Sequence, residues 1–325
     1  MSGAAQMTVR LLLPCPPRTA ARAWGDWYFG HSLGAALERL GCTVRYSYRR
    51  DNVITRLATR LARRLRRNEV ELVIRGKRVW RRIPGKPCVA WIISQSDSVT
   101  AEELRGYAHV FVASPEFLAR IEGQCESASL LYQCTDAARF APQVGQDTRR
   151  RILFVGNRRA YAPRDIVLKA IAAGHDIEVW GRGWDEVLDA GNYAGLHVEN
   201  AELPAAYGRA KAVLNDHTDE MRRDGFVSNR VYDVLACGTP LVTERMAGLP
   251  DGFADELLLY GDEAEFLARL EELPDRADQM TGRLRAFAAH VRAEHSFDVR
   301  ARDIFAVIAK LSGQSAPLAP RVAAP

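Results

Sequence analysis

The feature that most constrains this chain is an alternation of short β-rich runs with helical patterns, which stops at a polar stretch and then starts again. TVRLLLP leads to a helical pattern through SLGAALERLG, then to CTVRYSY, VELVIRG, PCVAWII and HVFVAS, a helix through PEFLARIEG, and SASLLYQ. Apolar runs of strand length, bounded by turn residues and separated by helix-length segments, are the pattern of parallel strands joined by crossover helices. The stretch TDAARFAPQVGQDTRR interrupts this series and reads as a linker. A second series follows with RILFVGN, RDIVLKAIAAG, DIEVWG, LPAAYGRA, KAVLND, NRVYDVLACG, TPLVTE and ELLLYG. The expected fold class is therefore α/β, two Rossmann-like domains facing each other across a cleft. The expected division is a first domain over 1–142, a linker over 143–150 and a second domain over 151–295. A helix over 296–312 would cross back to the first domain, after helices near EAEFLARLEEL and QMTGRLRAFAAHVRAEH. Residues 1–6 and the Pro- and Ala-rich tail 313–325 are expected to be disordered.

Composition narrows the function classes. With 325 residues, 47% apolar and 26% charged, the chain has core enough for two globular domains. No apolar run approaches the roughly 18 residues of a membrane span, and the start reads as a strand rather than a signal peptide, so a cytoplasmic location is expected. The six cysteines are scattered, with neither C-x-x-C nor zinc spacing, which suggests no disulfide framework and no metal site. The net charge of +5 hides a basic segment: residues 56–82 carry eleven basic side chains against Glu69 and Glu71, and the remainder is net negative. Within it, RLATRLARRLRR sets Leu57, Leu61 and Leu65 four apart among Arg60, Arg63, Arg64, Arg66 and Arg67. From Arg56 to Arg67 this is either a solvated helix or a contact with an anionic membrane surface, and the residues leave both open. Nucleic acid is not expected, because no aromatic residue falls within 56–79 and no nucleic-acid-binding motif accompanies the patch.

Several chemistries lack their motifs. There is no G-x-G-x-x-G after the first strand, Gly85-Lys86 is followed by Pro87, and neither G-x-S-x-G nor H-E-x-x-H occurs. No two aspartates stand two residues apart, so no metal or other cofactor is expected and a bound diphosphate would be neutralised by protein groups.

The informative stretch is DGFVSNRVYDVLACGTPLVTE, residues 224–244, which reads as loop, helix and buried strand. Ser228 or Asn229 suits the N-cap, and Gly238-Thr239-Pro240 is a helix stop. The helix would then present free N–H groups and its positive dipole end to a pyrophosphate. Asp233, one turn in, is placed to reach a ribose hydroxyl pair, and Arg230 either adds a cation or caps a neighbouring loop. Taken alone, a short Ser-capped helix is more often ordinary structure.

The longer stretch VLNDHTDEMRRDGFVSNRVYDVLACGTPLVTE resembles the donor-binding signature of the group 1 glycosyltransferases, enzymes of the two-Rossmann GT-B fold. It is most similar to the subgroup of spore-maturation (CgeB-like) glycosyltransferases. RRRILFVGNRRAYAPRDIVLKAI, VWGRGW and YGRAKAVLN resemble the family's second-domain segments in order, and HVFVASPEFLARI and LYQCTDAARFAP its last first-domain elements. The resemblance implies sugar transfer from a nucleotide-diphosphate donor, held by the second domain, to an acceptor held by the first. It further implies retention of configuration, independence of metal, and a place in cell-envelope or polysaccharide biosynthesis. Asp233 then stands at the ribose-binding acid, Ser228 and Asn229 at the diphosphate, and Arg158 and Arg164, after the Gly156 turn, at the diphosphate cations. Without the resemblance, Arg158, Arg159 and Arg164 read as surface charges.

The chain departs from the family pattern in two places. The usual pair of acids is represented by Asp233 and, one residue out of step, Asp224. A histidine usual at a first-domain strand end is replaced by WIISQSDSV, where Asp97 or Ser94 would face the cleft. Asp97 fits acceptor binding or base chemistry, or equally an Asx turn or helix cap. In GDWYFGHSLGAAL, Gly25, Asp26 and His31 are acceptor-side candidates, His31 being equally suited to core packing. The residues leave the acceptor open among a glycan, a lipid-linked and a small molecule. Membrane contact through the basic helix would put the protein at the inner face of the plasma membrane; rival readings are a sugar-nucleotide epimerase or phosphorylase on the same fold, and a non-catalytic nucleotide-sugar-binding scaffold subunit of an envelope polysaccharide complex.

Overall fold

A computed structural model describes residues 7–17, 24–49, 53–66, 68–143, 151–159 and 165–313. The expectations for residues 1–6, for most of the linker and for 314–325 fall outside the described residues.

The first half contains β1 (Thr8–Leu13), α1 (Gly25–Arg39), β2 (Thr43–Tyr48), α2 (Val53–Leu65), β3 (Glu69–Arg75), β4 (Cys88–Ile92), α3 (Ala101–Leu104), β5 (His109–Val112), α4 (Pro115–Arg120) and β6 (Ala128–Leu130). Its strands pair in parallel in the order β2-β1-β3-β4-β5-β6. The second half contains β7 (Ile152–Val155), α5 (Asp165–Ala172), β8 (Ile177–Trp180), β9 (Tyr193–Gly195), α6 (Leu203–Arg209), β10 (Ala212–Leu214), α7 (Asp219–Arg223), α8 (Asn229–Ala236), β11 (Leu241–Glu244), β12 (Leu258–Tyr260), α9 (Glu263–Glu294) and α10 (Phe297–Leu311). Its sheet is also parallel, in the order β12-β11-β10-β7-β8-β9. Each sheet reverses its winding once, between β1 and β3 and between β7 and β10. Crevices beyond the carboxyl ends of strands at such reversals are where α/β sheets bind ligands.

Helix α10 belongs to the first core: Phe297, Ala301, Ile304, Ile308 and Ala309 are buried there, on α1. The two crossings between the halves lie side by side. The N–H of Thr135 donates to the carbonyl of His295 (2.9 Å), and that of Phe297 to the carbonyl of Thr135 (3.1 Å). Arg300 secures the crossing by donating to the carbonyls of Tyr132, Gln133 and Glu294.

Three elements differ from the sequence pattern. Helix α1 starts at Gly25, taking in GDWYFGH ahead of the expected helical run. The two helices expected before α10 are one 32-residue helix that runs through Pro274. An interior proline removes one hydrogen bond and crowds the preceding turn, and here Leu270, Leu273, Met280 and Leu284, buried on both sides of it, hold the helix together. Helix α2 is inverted. Arg63 is its buried residue, bonded by two nitrogens to Glu71 (both 2.8 Å), while Ile54, Leu57, Leu61 and Leu65 are exposed to solvent. The cause lies in β3, whose buried Glu69 and Glu71 demand cations, which Arg10, Arg63 and Lys86 supply.

Candidate functional site

The second-domain side of the cleft is built around α8. Val231, Tyr232, Val234 and Leu235 bury its inner face. At its end Gly238 takes a positive φ of 66°, its N–H donates to the carbonyl of Leu235, and the N–H of Thr239 donates to that of Val234, the pair of hydrogen bonds that closes a helix on a left-handed residue. The N-terminus is different. Ser228 sits at the N-cap in extended conformation, and its hydroxyl makes no cap bond and instead donates to Asn215 Oδ1 (3.2 Å). The Ser228 N–H donates to His217 Nε2 (3.1 Å), and His217 Nδ1–H therefore donates to Glu244 (2.8 Å). The helix thus enters the cleft with the N–H groups of its first turn uncapped by any side chain, and with its positive dipole end foremost.

Arg230 spans the winding reversal of the second sheet. Its Nη2 donates to the carbonyl of Val155, the last residue of β7 (2.7 Å), and its Nη1 to Asn215 Oδ1, just beyond β10 (2.9 Å). Asp233 is buried: Oδ1 accepts from the hydroxyl of Thr135 across the domain boundary (2.6 Å) and Oδ2 from Asn229 Nδ2 (3.1 Å). Burial pushes its carboxyl up to about 7, against the Thr135 hydrogen bond that favours the ionised form. Asn229, Arg230 and Asp233 line a cavity of about 170 Å³ closed on the other side by Tyr28 and Ser32 of α1 and by Asp136.

Gly156 and Arg158 follow β7. The Gly156 carbonyl accepts from Trp184 Nε1 (2.7 Å), and Gly181 approaches it so closely that a Cβ there would lie 2.2 Å from that oxygen. Arg158 is partly exposed and lies 3.7 Å from Glu186. Arg164 lies outside the described residues.

Asp224, out of step in the sequence, fastens the two halves. Arg120 of α4 donates to both its carboxylate oxygens, Ser96 donates to Oδ2, and the hydroxyl of Ser114 donates to its backbone carbonyl. Burial would raise its carboxyl, but the hydrogen bonds from Arg223, Ser96 and Arg120 prevail and hold it below the ordinary carboxylate range.

Across the cleft, at the winding reversal of the first sheet, lies a larger cavity of about 1040 Å³. Its walls include Pro14 after β1, Arg49 after β2, Lys77 and Arg78 after β3, and Ser94 and Asp97 after β4. Asp97 is exposed and ion-paired with Arg223 of the second domain. Asp26, in the first turn of α1, also lines it, and burial pushes its carboxyl up. Gly25 borders the smaller cavity. His31 lines neither. Its ring stacks between Trp27 and Tyr46, with centroids 3.7 and 4.3 Å away, Nδ1 bonds the carbonyl of Trp27 (2.8 Å), and Nε2 meets the Tyr48 hydroxyl (3.1 Å).

Thr135, Arg49, Lys77 and Arg78 were not singled out from the sequence. Arg49 and Arg78 each follow a strand closely, which in an α/β chain was a usable signal. Thr135 carried none, because its role depends on a contact with a residue about a hundred positions later.

Residues 158–306, just under half of the chain, match the family model for glycosyl transferase-like domains. Comparison with curated protein sequences finds no match. Among solved structures, a sucrose-phosphate synthase from Thermosynechococcus elongatus superposes with a TM-score of 0.71 at 12% identity, covering 95% of this chain and 100% of that one. HepE of Anabaena, solved in complex with UDP-glucose, gives 0.67 at 10% identity over 94% and 100% of the two chains. An α,α-trehalose 6-phosphate synthase from Burkholderia multivorans gives 0.64 at 12% identity over 95% and 99%. The fold is that of the GT-B glycosyltransferases, and the second half of the chain carries a glycosyltransferase-family domain.

Proposed function

We propose that this chain transfers a sugar from a nucleoside-diphosphate donor to an acceptor, with the diphosphate at the N-terminus of α8 and the ribose on Asp233. The observation that carries the reading is the convergence, at the winding reversal of the second sheet, of an uncapped helix N-terminus, a guanidinium and a buried carboxylate facing the other domain. A departing nucleoside diphosphate gains negative charge, and hydrogen bonds to charged groups contribute about 1.5–3 kcal/mol each, most of it where charge develops. Arg230, Arg158 and the α8 N–H groups are suited to that work without a divalent cation. Among the described residues, no three His, Cys, Asp or Glu side chains converge on a metal site. Retention of configuration, membership of the spore-maturation subgroup and a place in envelope or polysaccharide biosynthesis rest on the resemblance of the signature stretch.

The cavity on Asp233, about 170 Å³, is smaller than the roughly 300–1,000 Å³ of small-molecule sites, so donor entry requires the halves to part. Parting them frees Asp233 from Thr135 for the ribose. On the acceptor side Asp97 and Asp26 line the large cavity and are the residues we place near the acceptor, whereas His31, with both ring nitrogens engaged, is assigned to packing.

The protein works against an anionic membrane surface from the cytoplasmic side, in this reading, through the outward apolar face of α2 and its arginines. No helix of the described residues is long and apolar enough to cross a membrane.

Calorimetric titration of nucleoside diphosphates and nucleotide sugars, with and without chelator, tests the donor site. Chelator-insensitive binding, weakened roughly tenfold or more in a folded Asp233→Asn variant, is the expected result. Unchanged affinity in that variant would remove Asp233 from the donor site. Absence of any nucleotide binding by folded wild type would remove the enzyme reading.

A further inference from the structure

The basic side chains on and around the large cavity divide into two groups. Arg75, Arg120, Arg222 and Arg223 are each ion-paired with a carboxylate. Arg49, Lys77 and Arg78, on the wall of the large cavity, have no carboxylate partner among the described residues. They come from the ends of β2 and β3, the strands on either side of β1, and so flank the winding reversal of the first sheet.

The acids on the same wall do not balance them. Asp97 is paired with Arg223 and Asp219 with Arg222, while Glu220 accepts the N–H of Gln95 (3.1 Å). Glu220 keeps its charge, since a backbone N–H does not neutralise it, and burial pushes Asp26 toward its neutral form. Arg49 is held ready. It is partly buried, and its guanidinium lies over the ring of Trp80 (5.3 Å to the centroid). Stacking of this kind occupies the face of a guanidinium and leaves its N–H edges to a ligand. Burial, and then the charges of Arg78 and Arg56, push Arg49 below its ordinary value, the mark of cations gathered without an anion between them.

We infer that this cavity takes an acceptor bearing a phosphoryl group, with the phosphoryl oxygens on Arg49, Lys77 and Arg78 and the rest of the molecule extending toward the second domain. Three cations facing the one unpaired carboxylate of Glu220 leave an excess of about two positive charges, which suits a dianionic monoester better than a single carboxylate ligand, and guanidinium edges match phosphoryl oxygens in pairs. Assignment of the ligand as acceptor rests on the glycosyl-transfer reading, whereas the phosphoryl subsite itself does not. The phosphoryl group can belong to a soluble sugar phosphate or to a lipid monophosphate.

The test is calorimetric titration of inorganic phosphate into the full chain, alone and with the best-binding nucleoside diphosphate held at saturation. Wild type is compared with R49Q/R78Q and with R49K/R78K. Phosphate should bind wild type under both conditions and weaken roughly tenfold or more in R49Q/R78Q, with partial recovery in R49K/R78K and nucleotide affinity within about twofold. Phosphatidylcholine vesicles doped with phosphatidic acid, a monoester, or with phosphatidylglycerol, a diester, separate the sources. A preference for the monoester that vanishes in R49Q/R78Q identifies a lipid phosphate, and no preference alongside soluble binding identifies a soluble one. Equal phosphate affinity in wild type and R49Q/R78Q, or none in wild type, overturns the subsite. Phosphate binding by wild type that weakens in R49Q/R78Q, with no nucleotide bound by either protein, would instead sink the donor assignment and leave the subsite standing.

Discussion

Helices α2 and α10 are of similar length, both are amphipathic, and both lie on the first domain, yet they are turned opposite ways. Helix α10 sends Ile304 and Ile308 into the core on α1. Helix α2 holds the body with Arg63 and shows Ile54, Leu57, Leu61 and Leu65 to solvent, at 81, 61, 59 and 72% exposure. Periodic apolar residues therefore specify that a helix forms but not which way it faces. The surface it lands on decides, and β3 offers α2 two buried glutamates. Burying a leucine or isoleucine contributes about 1.5–3 kcal/mol, so four left in water forgo a large stabilisation, as expected of a surface that another body covers.

The largest effect should come from breaking what inverts α2. Arg63→Ala leaves Glu71 buried with Lys86 alone, 3.3 Å away, and should cost about 3 kcal/mol in urea unfolding; a loss under 1 kcal/mol would mean that the pair does not seat the helix. On the other helix, Ile304→Ala opens a cavity and should cost about 2–4 kcal/mol, whereas Leu61→Ala should stay within about 0.5. Equal costs would erase the contrast. At the crossing that delivers α10, pH should act through Asp233. A carboxyl raised to about 7 in the fold stays protonated while the unfolded chain ionises, so its effect lowers stability as pH rises from about 4 to 7 and is constant above that. Asp233→Asn should flatten that slope and raise the melting temperature at pH 8 but not at pH 4. The smallest effect on the fold should be that of L57E/L61E, whose stability stays near wild type while adsorption to anionic vesicles at low salt disappears; retained adsorption would free α2 of that role.

Much of the architecture was legible because parallel strands buried on both faces leave uninterrupted apolar runs, and two sets of such runs stand in the sequence. The local build of the α8 region was legible for a related reason: Gly238 and its neighbours make a stop that depends on adjacent residues alone. What could not be read depends on residues far apart. Asp224 meets Arg120 and Ser96, Asp233 meets Thr135, and α2 turns over because of Glu71; none of these pairings leaves a periodic trace. Pro274 misled in the other direction, since a local breaker was overruled by packing on both sides of it. The ring pairs around His31 likewise join β2 to α1, and no spacing rule anticipates them.

The placement of α10 also sets an order of assembly. Ribosomes deliver the chain from its N-terminus, and domains fold as they emerge. The first sheet and α1 are complete long before Ile304 and Ile308 exist, so the nascent first domain waits with an open apolar groove on α1 while the whole second domain is synthesised. Its last piece arrives only after α9, and the half of the molecule begun first is the half finished last.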